Sequence, residues 1–145
     1  MKQSAGLLLY RQTPAGLQVL VVHPSGTYNK NAAWSLPKGE PEPTSAAGTA
    51  MNVENLELTA RREVQEETGV VVAGPVRPLG FIDYKKSKKR VTAFAAELPP
   101  DQLPRCASWE IDRCELMTVD AARKVLHVDQ VAFLDRLITL LQGAR

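Results

Sequence analysis

Apolar residues gather into short blocks along this chain, and the spacing inside each block assigns an element. Ala5 to Tyr10 and Leu17 to His23 are β-rich runs separated by Thr13-Pro14-Ala15-Gly16. Two such runs around a turn sequence predict a β-hairpin with both strands buried. Residues 24 to 33 are polar and turn-rich, and they lead into Trp34-Ser35-Leu36-Pro37-Lys38-Gly39, read as a short strand entering a loop. From Glu40 to Ala50, Pro, Ser, Gly and Ala dominate, which predicts irregular surface chain rather than a linker between domains. A helix is expected to start between Asn52 and Asn55, where an asparagine can cap free backbone donors, and to run to Thr68. Gly69 stops it, because glycine accepts the left-handed conformation common just past a helix end.

Downstream, Val70 to Val72 and Gly80 to Tyr84 read as strands, Lys85 to Arg90 as a hairpin tip and Val91 to Leu98 as the returning strand. Pro99 to Ala107 reads as loop and Leu116 to Thr118 as a last strand. Val119 to Leu126 and Gln130 to Leu141 carry helical patterns. In the second, Phe133, Leu134, Leu137, Ile138 and Leu141 recur at helical spacing. The sum is a mixed sheet with a central helix and a C-terminal helix, without internal repeats.

Composition narrows the class. The 145 residues, 44% hydrophobic and 23% charged, suit one globular domain spanning 1–145. A net charge of +2 is too small to attract nucleic acid by bulk electrostatics. The two cysteines, Cys106 and Cys114, lack Cys-x-x-Cys spacing and a nearby histidine pattern, which argues against structural zinc and for a reduced, cytoplasmic setting. The run from Ala5 to Tyr10 is too short for a signal-peptide core, and no run approaches the roughly 20 apolar residues that span a bilayer.

The chemistry concentrates in Arg62-Glu63-Val64-Gln65-Glu66-Glu67-Thr68-Gly69-Val70. Glu63, Glu66 and Glu67 stand at i, i+3 and i+4, so they are neighbours on a helix. At about 100° per residue, Glu63 and Glu67 fall in the sector of Leu56 and Ala60, with Arg61, Gln65 and Thr68 on the other side. Acids beside a core-facing stripe need a positive partner, and hard carboxylate oxygens suit Mg²⁺ or Mn²⁺. The bland alternative is a wet helix carrying intrahelical pairs such as Arg62 with Glu66.

Gly48, Glu54, Arg62, Glu63, Val64, Glu66, Glu67, Gly69 and Val70 together resemble the Nudix box, at nine specified positions over 23 residues. One departure stands out. The family's opening glycine usually sits in a Pro-Lys-Gly-like or Gly-Gly turn, here Pro37-Lys38-Gly39. Between Gly39 and Glu54 lie 14 residues where the box has five, an apparent nine-residue insertion (14 − 5 = 9) that leaves two candidates, Gly39 and Gly48, for the structural glycine. The resemblance covers nearly the whole chain and implies an α/β/α sandwich with a mixed β-sheet.

What the resemblance implies for chemistry is metal-dependent hydrolysis of a pyrophosphate bond in a nucleoside diphosphate linked to another moiety. Glu63, Glu66 and Glu67, with the carbonyl of Gly39, would be the ligands of Mg²⁺ or Mn²⁺. Glu63 or Glu67 would alternatively serve as general base. Arg62 would orient a box glutamate, Glu54 would brace the loop–helix junction and Gly69 would end the helix. Lys38 is the candidate phosphate contact and Tyr84 the candidate base-stacking residue. Glu97 and Glu110 are candidates for a further downstream carboxylate, while His23 and His127 read as structural or surface residues. Lys85 to Arg90 puts five cations in six residues, either a solvated turn or an electrostatic lure for a polyphosphate.

The Trp-Ser-Leu-Pro-Lys-Gly segment is similar to the dinucleoside polyphosphate branch of the family. ADP-ribose or another nucleotide sugar is the alternative substrate class. A non-catalytic Nudix-fold nucleotide-binding module is the alternative of another kind, and the full set of box glutamates argues against it. The expected partner is a small-molecule nucleotide, without a membrane or nucleic acid; oligomeric state is left open.

Overall fold

The structure is a computed structural model and describes residues 1–43 and 54–143. Gly48 and the centre of the Glu40-to-Asn55 segment lie outside the described residues. The predicted hairpin forms β1 (Lys2–Thr13) and β2 (Gly16–Pro24), closed where Thr13 pairs with Gly16. The Thr13 hydroxyl stabilises the turn by donating to the Gly16 carbonyl (2.8 Å) and accepting from the Ala15 amide (3.2 Å).

The remaining strands are β3 (Lys38–Gly39), β4 (Arg77–Asp83), β5 (Lys89–Glu97) and β6 (Ile111–Thr118). The sheet runs β4-β5-β1-β2-β6, with β3 also on β1. β1 and β5 are parallel and every other pairing is antiparallel. Strand alternation gives β1 two buried faces. Ala5, Leu7 and Leu9 join Ala60, Val64, Val70 and Val72 on one side, and Leu8 joins Ala122, Phe133, Leu134 and Leu137 on the other. Helix α1 (Leu56–Thr68) covers the first face, and α2 (Val119–Val125) and α3 (Val131–Gly143) cover the second. The result is the α/β/α sandwich with a mixed sheet. No described helix is long and apolar enough to cross a membrane.

One irregularity positions the site. β2 pairs with β1 only from Tyr10 to Thr13, then diverges, and Val22 bridges Ser35 instead. The segment Trp34–Gly39 enters the gap, so that Ala5 and Gly6 of β1 pair with Gly39 and Lys38. This wedge brings Lys38 and Gly39 to the sheet edge where β1 and β5 begin, β2 and β4 end and β6 starts.

Three expectations are corrected. Val70 to Val72 is not a strand, because side chains bind its backbone. Gln102 brackets Val71 with two bonds of 2.7 Å, and Arg61 donates to the Val72 carbonyl at 2.6 Å. Thr68 lies on the buried face of α1, with its hydroxyl satisfied by the Val64 carbonyl at 2.6 Å. The last strand begins at Ile111, well before Leu116. It is an edge strand whose exposed Asp112, Arg113 and Glu115 interrupt the apolar pattern by which strands are found, as charges on sheet edges do.

Candidate active site

Helix α1 begins and ends as its sequence dictates. The Asn55 side chain accepts from the Leu58 amide at 2.9 Å, and Gly69 follows with φ 77°. Two further amides, Arg105 (3.0 Å, to Thr68) and Ala107 (2.9 Å, to Glu67), satisfy carbonyls left free at the helix end. They bring the loop that carries Glu110 against the helix.

Glu63 and Glu67, one turn apart, flank the buried stripe of Thr59, Ala60 and Val64 and are themselves half-buried. Desolvation disfavours their charges, and mutual repulsion adds to it. Burial raises the Glu63 carboxyl above its ordinary value, against the pull of Arg62. Glu67 is pushed up to about 8 by burial first, then by the charge of Glu63 and the hydrogen bond it donates to that carboxylate. Both shifts run in the same direction, so the pair favours any positive charge that reaches it. The charge of Lys38 acts on Glu67 in the opposite sense, and burial lowers the pKa of Lys38 itself.

Gly39 lies directly against Glu63. A Cβ there would fall on the Glu63 carboxyl group, so only glycine leaves that carboxyl where it stands.

Arg62 links Glu63 to a second set of acids. Its guanidinium donates to Glu54 (2.9 Å), Glu63 (2.6 Å), Glu66 (3.1 Å) and the Glu40 carbonyl (3.0 Å), and lies 3.3 Å from the Glu42 carboxylate. Glu54 also accepts from the buried Thr59 hydroxyl at 2.8 Å, and Arg62 holds its carboxyl down at about 2. The Glu54 amide donates to the Glu42 carbonyl at 2.8 Å. Arg62 thus ties both ends of the segment between Glu42 and Glu54 to α1. Glu66 is turned toward Arg62 and exposed, so it does not join Glu63 and Glu67.

The acids open onto a groove along the sheet edge. A cavity of about 280 Å³ is lined by Ser4, Lys38, Gly39, Glu63, Glu67 and Glu110. It shares Lys38, Glu67, Tyr84, Lys89 and Glu110 with a neighbour of about 480 Å³ that extends to Trp34, Leu36, His127 and Gln130. In the larger cavity Tyr84 and His127 stack, with centroids 4.2 Å apart and planes 9° from parallel. Fully buried Gln130 fixes that wall by donating to the Tyr84 hydroxyl (2.9 Å) and to Ser35 (3.0 Å) while accepting from the Leu36 amide (3.0 Å). The groove offers oxygen donors and lysines at one end and an aromatic surface at the other, which suits a phosphorylated molecule with a planar base.

A family model described as NUDIX domain matches residues 2–137. The chain belongs to the Nudix family. With that membership comes the enzyme class, hydrolysis of pyrophosphate-type phosphorus anhydrides. Solved structures agree in fold. A binary complex of a C. elegans Ap4A hydrolase superposes with TM-score 0.76 at 21% identity, covering 99% of each chain. The NUDIX domain of Shewanella oneidensis NrtR complexed with ADP ribose gives 0.73 at 16%, covering 97% of this chain and 88% of that one. The MutT NUDIX hydrolase of Burkholderia pseudomallei gives 0.70 at 17%, covering 94% and 97%. No curated protein matches this Nudix chain by sequence.

Of the residues singled out from sequence, the Nudix fold brings Lys38, Gly39, Glu63, Glu67, Tyr84 and Glu110 to one groove. Glu97 is not among them. It pairs with Tyr10 at the far end of β5 from Lys89. His23 is buried between Asp112 (2.8 Å) and the Ala32 carbonyl (3.1 Å), a structural role. His127, by contrast, lines the groove and stacks on Tyr84. Of the basic tip only Lys89 reaches the groove, while Arg90 pairs with Asp83 at 2.8 Å. Gln130 carried no sequence signal beyond its place at the start of a helix, because its side-chain partners Tyr84 and Ser35 lie 46 and 95 residues away in the chain, and the stacking of His127 on Tyr84 is likewise non-local.

Proposed function

We propose that this Nudix protein hydrolyses a pyrophosphate bond in a nucleoside diphosphate linked to another moiety, with dinucleoside polyphosphates the favoured substrates. The observation that carries the reading is the half-buried Glu63–Glu67 pair, pressed on Gly39 and facing Lys38, in a groove that also holds the stacked Tyr84 and His127. The similarity of Trp34–Gly39 to the dinucleoside polyphosphate branch favours that substrate class.

The donor set fits a hard divalent cation. Among the described residues no three His, Cys, Asp or Glu side chains are arranged to hold one ion, since Glu66 faces Arg62. Magnesium does not require such a cage, because it keeps several waters and uses one or two carboxylates plus substrate phosphates. Glu63, Glu67 and the Gly39 carbonyl would hold Mg²⁺ or Mn²⁺, with Glu66 joining them on turning away from Arg62. Bound there, the cation would neutralise phosphate charge and lower the pKa of a water. Lys38 binds a phosphate, Arg62 holds Glu63 in place, and Tyr84 with His127 receives the base. Of the two carboxylates, the one that does not ligate the cation is the base for the attacking water, Glu67 being favoured and Glu63 the alternative.

The test is product release with Mg²⁺, and separately Mn²⁺, from diadenosine polyphosphates, ADP-ribose, nucleotide sugars and nucleoside triphosphates. Metal-dependent cleavage of the diadenosine compounds at the highest kcat/KM is the expected result. Preference for ADP-ribose would move the substrate to nucleotide sugars. Nucleotide binding without turnover would replace the enzyme by a binding module.

A further inference from the structure

Trp34 lines two cavities, and only one of them belongs to the acidic groove. The other, of about 540 Å³, is lined by His23, Lys30, Asn31, Asp112, Arg113 and Lys124, and it shares Ala33 and Trp34 with the larger cavity of the groove. Bonds between distant segments fix its frame. The Trp34 amide donates to the Val125 carbonyl (2.8 Å) and the His127 amide donates to the Trp34 carbonyl (2.8 Å), which holds Trp34 on the end of α2. His23, bonded to Asp112 and to the Ala32 carbonyl, ties β2 to β6 and to the loop before Trp34. Its ring centroid lies 5.6 Å from that of the indole.

The charge of this cavity is the reverse of the groove's. Lys30 comes from the loop after β2, Arg113 from the edge strand β6 and Lys124 from the last turn of α2. The one carboxylate of the wall, Asp112, is engaged by His23 at 2.8 Å. Among the described residues, Lys30, Arg113 and Lys124 form no ion pair. Each alone has an ordinary role, as a polar turn residue, a charge guarding a sheet edge or a cation at a helix C-terminus. Their convergence on one concavity is costly, because like charges gathered there repel until an anion arrives. A guanidinium, two ammonium groups and the Asn31 amide are the donors that phosphate oxygens accept from.

We infer that this cavity is a second anion site, which takes a phosphate or diphosphate group through Lys30, Arg113 and Lys124 without a metal ion. It goes beyond the function proposed above and does not depend on it, because no residue of the Glu63–Glu67 cavity lines this one. The wall of Ala33 and Trp34 is all that the site has in common with the groove, so an anion held here stands one side chain away from it.

The test is calorimetric titration of the full chain with pyrophosphate in EDTA, where Glu63, Glu67 and Glu110 disfavour an anion in the groove. Wild type is expected to bind it at a single site. Loss of one charged hydrogen bond corresponds to about a tenfold rise in Kd. That weakening is expected in Lys30→Gln, Arg113→Gln and Lys124→Gln, whose side chains are exposed and leave the fold intact, and not in Lys38→Gln, which lies in the groove. ADP titrated in parallel identifies the source of the phosphate. Binding tighter than that of pyrophosphate assigns the site to nucleotides, and equal or weaker binding assigns it to the inorganic anion. Absence of saturable pyrophosphate binding, affinity unchanged in the three cavity variants, or an equal loss in Lys38→Gln overturns the inference and leaves the proposed function standing.

Discussion

Two groups of acids meet at helix α1, and they are treated in opposite ways. Glu54, Glu66 and Glu42 are gathered around Arg62, with Glu54 held at about 2. Glu63 and Glu67 are half-buried in the cavity that Gly39 lines, and burial raises both carboxyls against only partial compensation from Arg62 and Lys38. The first group has its charge balanced inside the protein, as a structural element needs. The second is short of positive charge, which destabilises the free protein and favours any cation that arrives. The contrast separates the part of the signature that builds the loop–helix junction from the part that does chemistry.

Substitutions can break this contrast. Glu67→Gln should lower kcat by about 10²- to 10³-fold, the ordinary weight of a general base, while raising the metal-free melting temperature. Steady-state kinetics and a thermal melt on the same preparation check both halves. Arg62→Met should do the reverse to stability, costing about 1.5–3 kcal/mol in chemical denaturation, because the partly buried Glu54 carboxylate loses its charged hydrogen-bond partner. Mg²⁺ at about 100 times its Kd should add about 2.7 kcal/mol to the wild type by linkage and almost nothing to Glu67→Gln.

Acid sharpens the comparison from the structural side. Glu54 titrates near 2 in the fold against 4.5 as an ordinary glutamate. A depressed carboxylate contributes stability that is complete above pH 4.5 and is lost as pH falls toward 2. Glu54→Gln should therefore remove a stability slope in that window and leave the slope above pH 5 unchanged in urea titrations. The smallest effect is expected from Glu66→Gln. Its exposed pair with Arg62 should change stability by no more than about 0.5 kcal/mol, whereas the Mg²⁺ concentration for half-maximal rate should rise.

The difference between local and distant determinants also explains what the sequence made legible. Asn55 and Gly69 mark the ends of α1 through bonds to residues a few positions away, and the acids fall on one helix face by periodicity alone. A mixed sheet with helices followed from the apolar runs and helical patterns, and its sandwich arrangement from the resemblance to the Nudix family. The wedge of Trp34–Gly39 between β1 and β2 left no periodic trace, since only two residues of it form a strand. Val70–Val72 has the composition of a strand, but a distant glutamine occupies its backbone. His127 gave no sign of lining the groove, because its ring meets Tyr84 only after the sheet edge and the turn before α3 converge.

The tie across Glu42, Glu54 and Arg62 makes the chain between them a closed loop whose ends are fixed independently of its contour. In polymer terms the closure cost rises only with the logarithm of length, about 0.6 kcal/mol for each doubling, so insertion or deletion between the two anchor points scarcely disturbs what they anchor. Sequence interval and spatial neighbourhood are thereby uncoupled. Gly48 satisfies the interval of the box, and Gly39, nine positions earlier, touches Glu63.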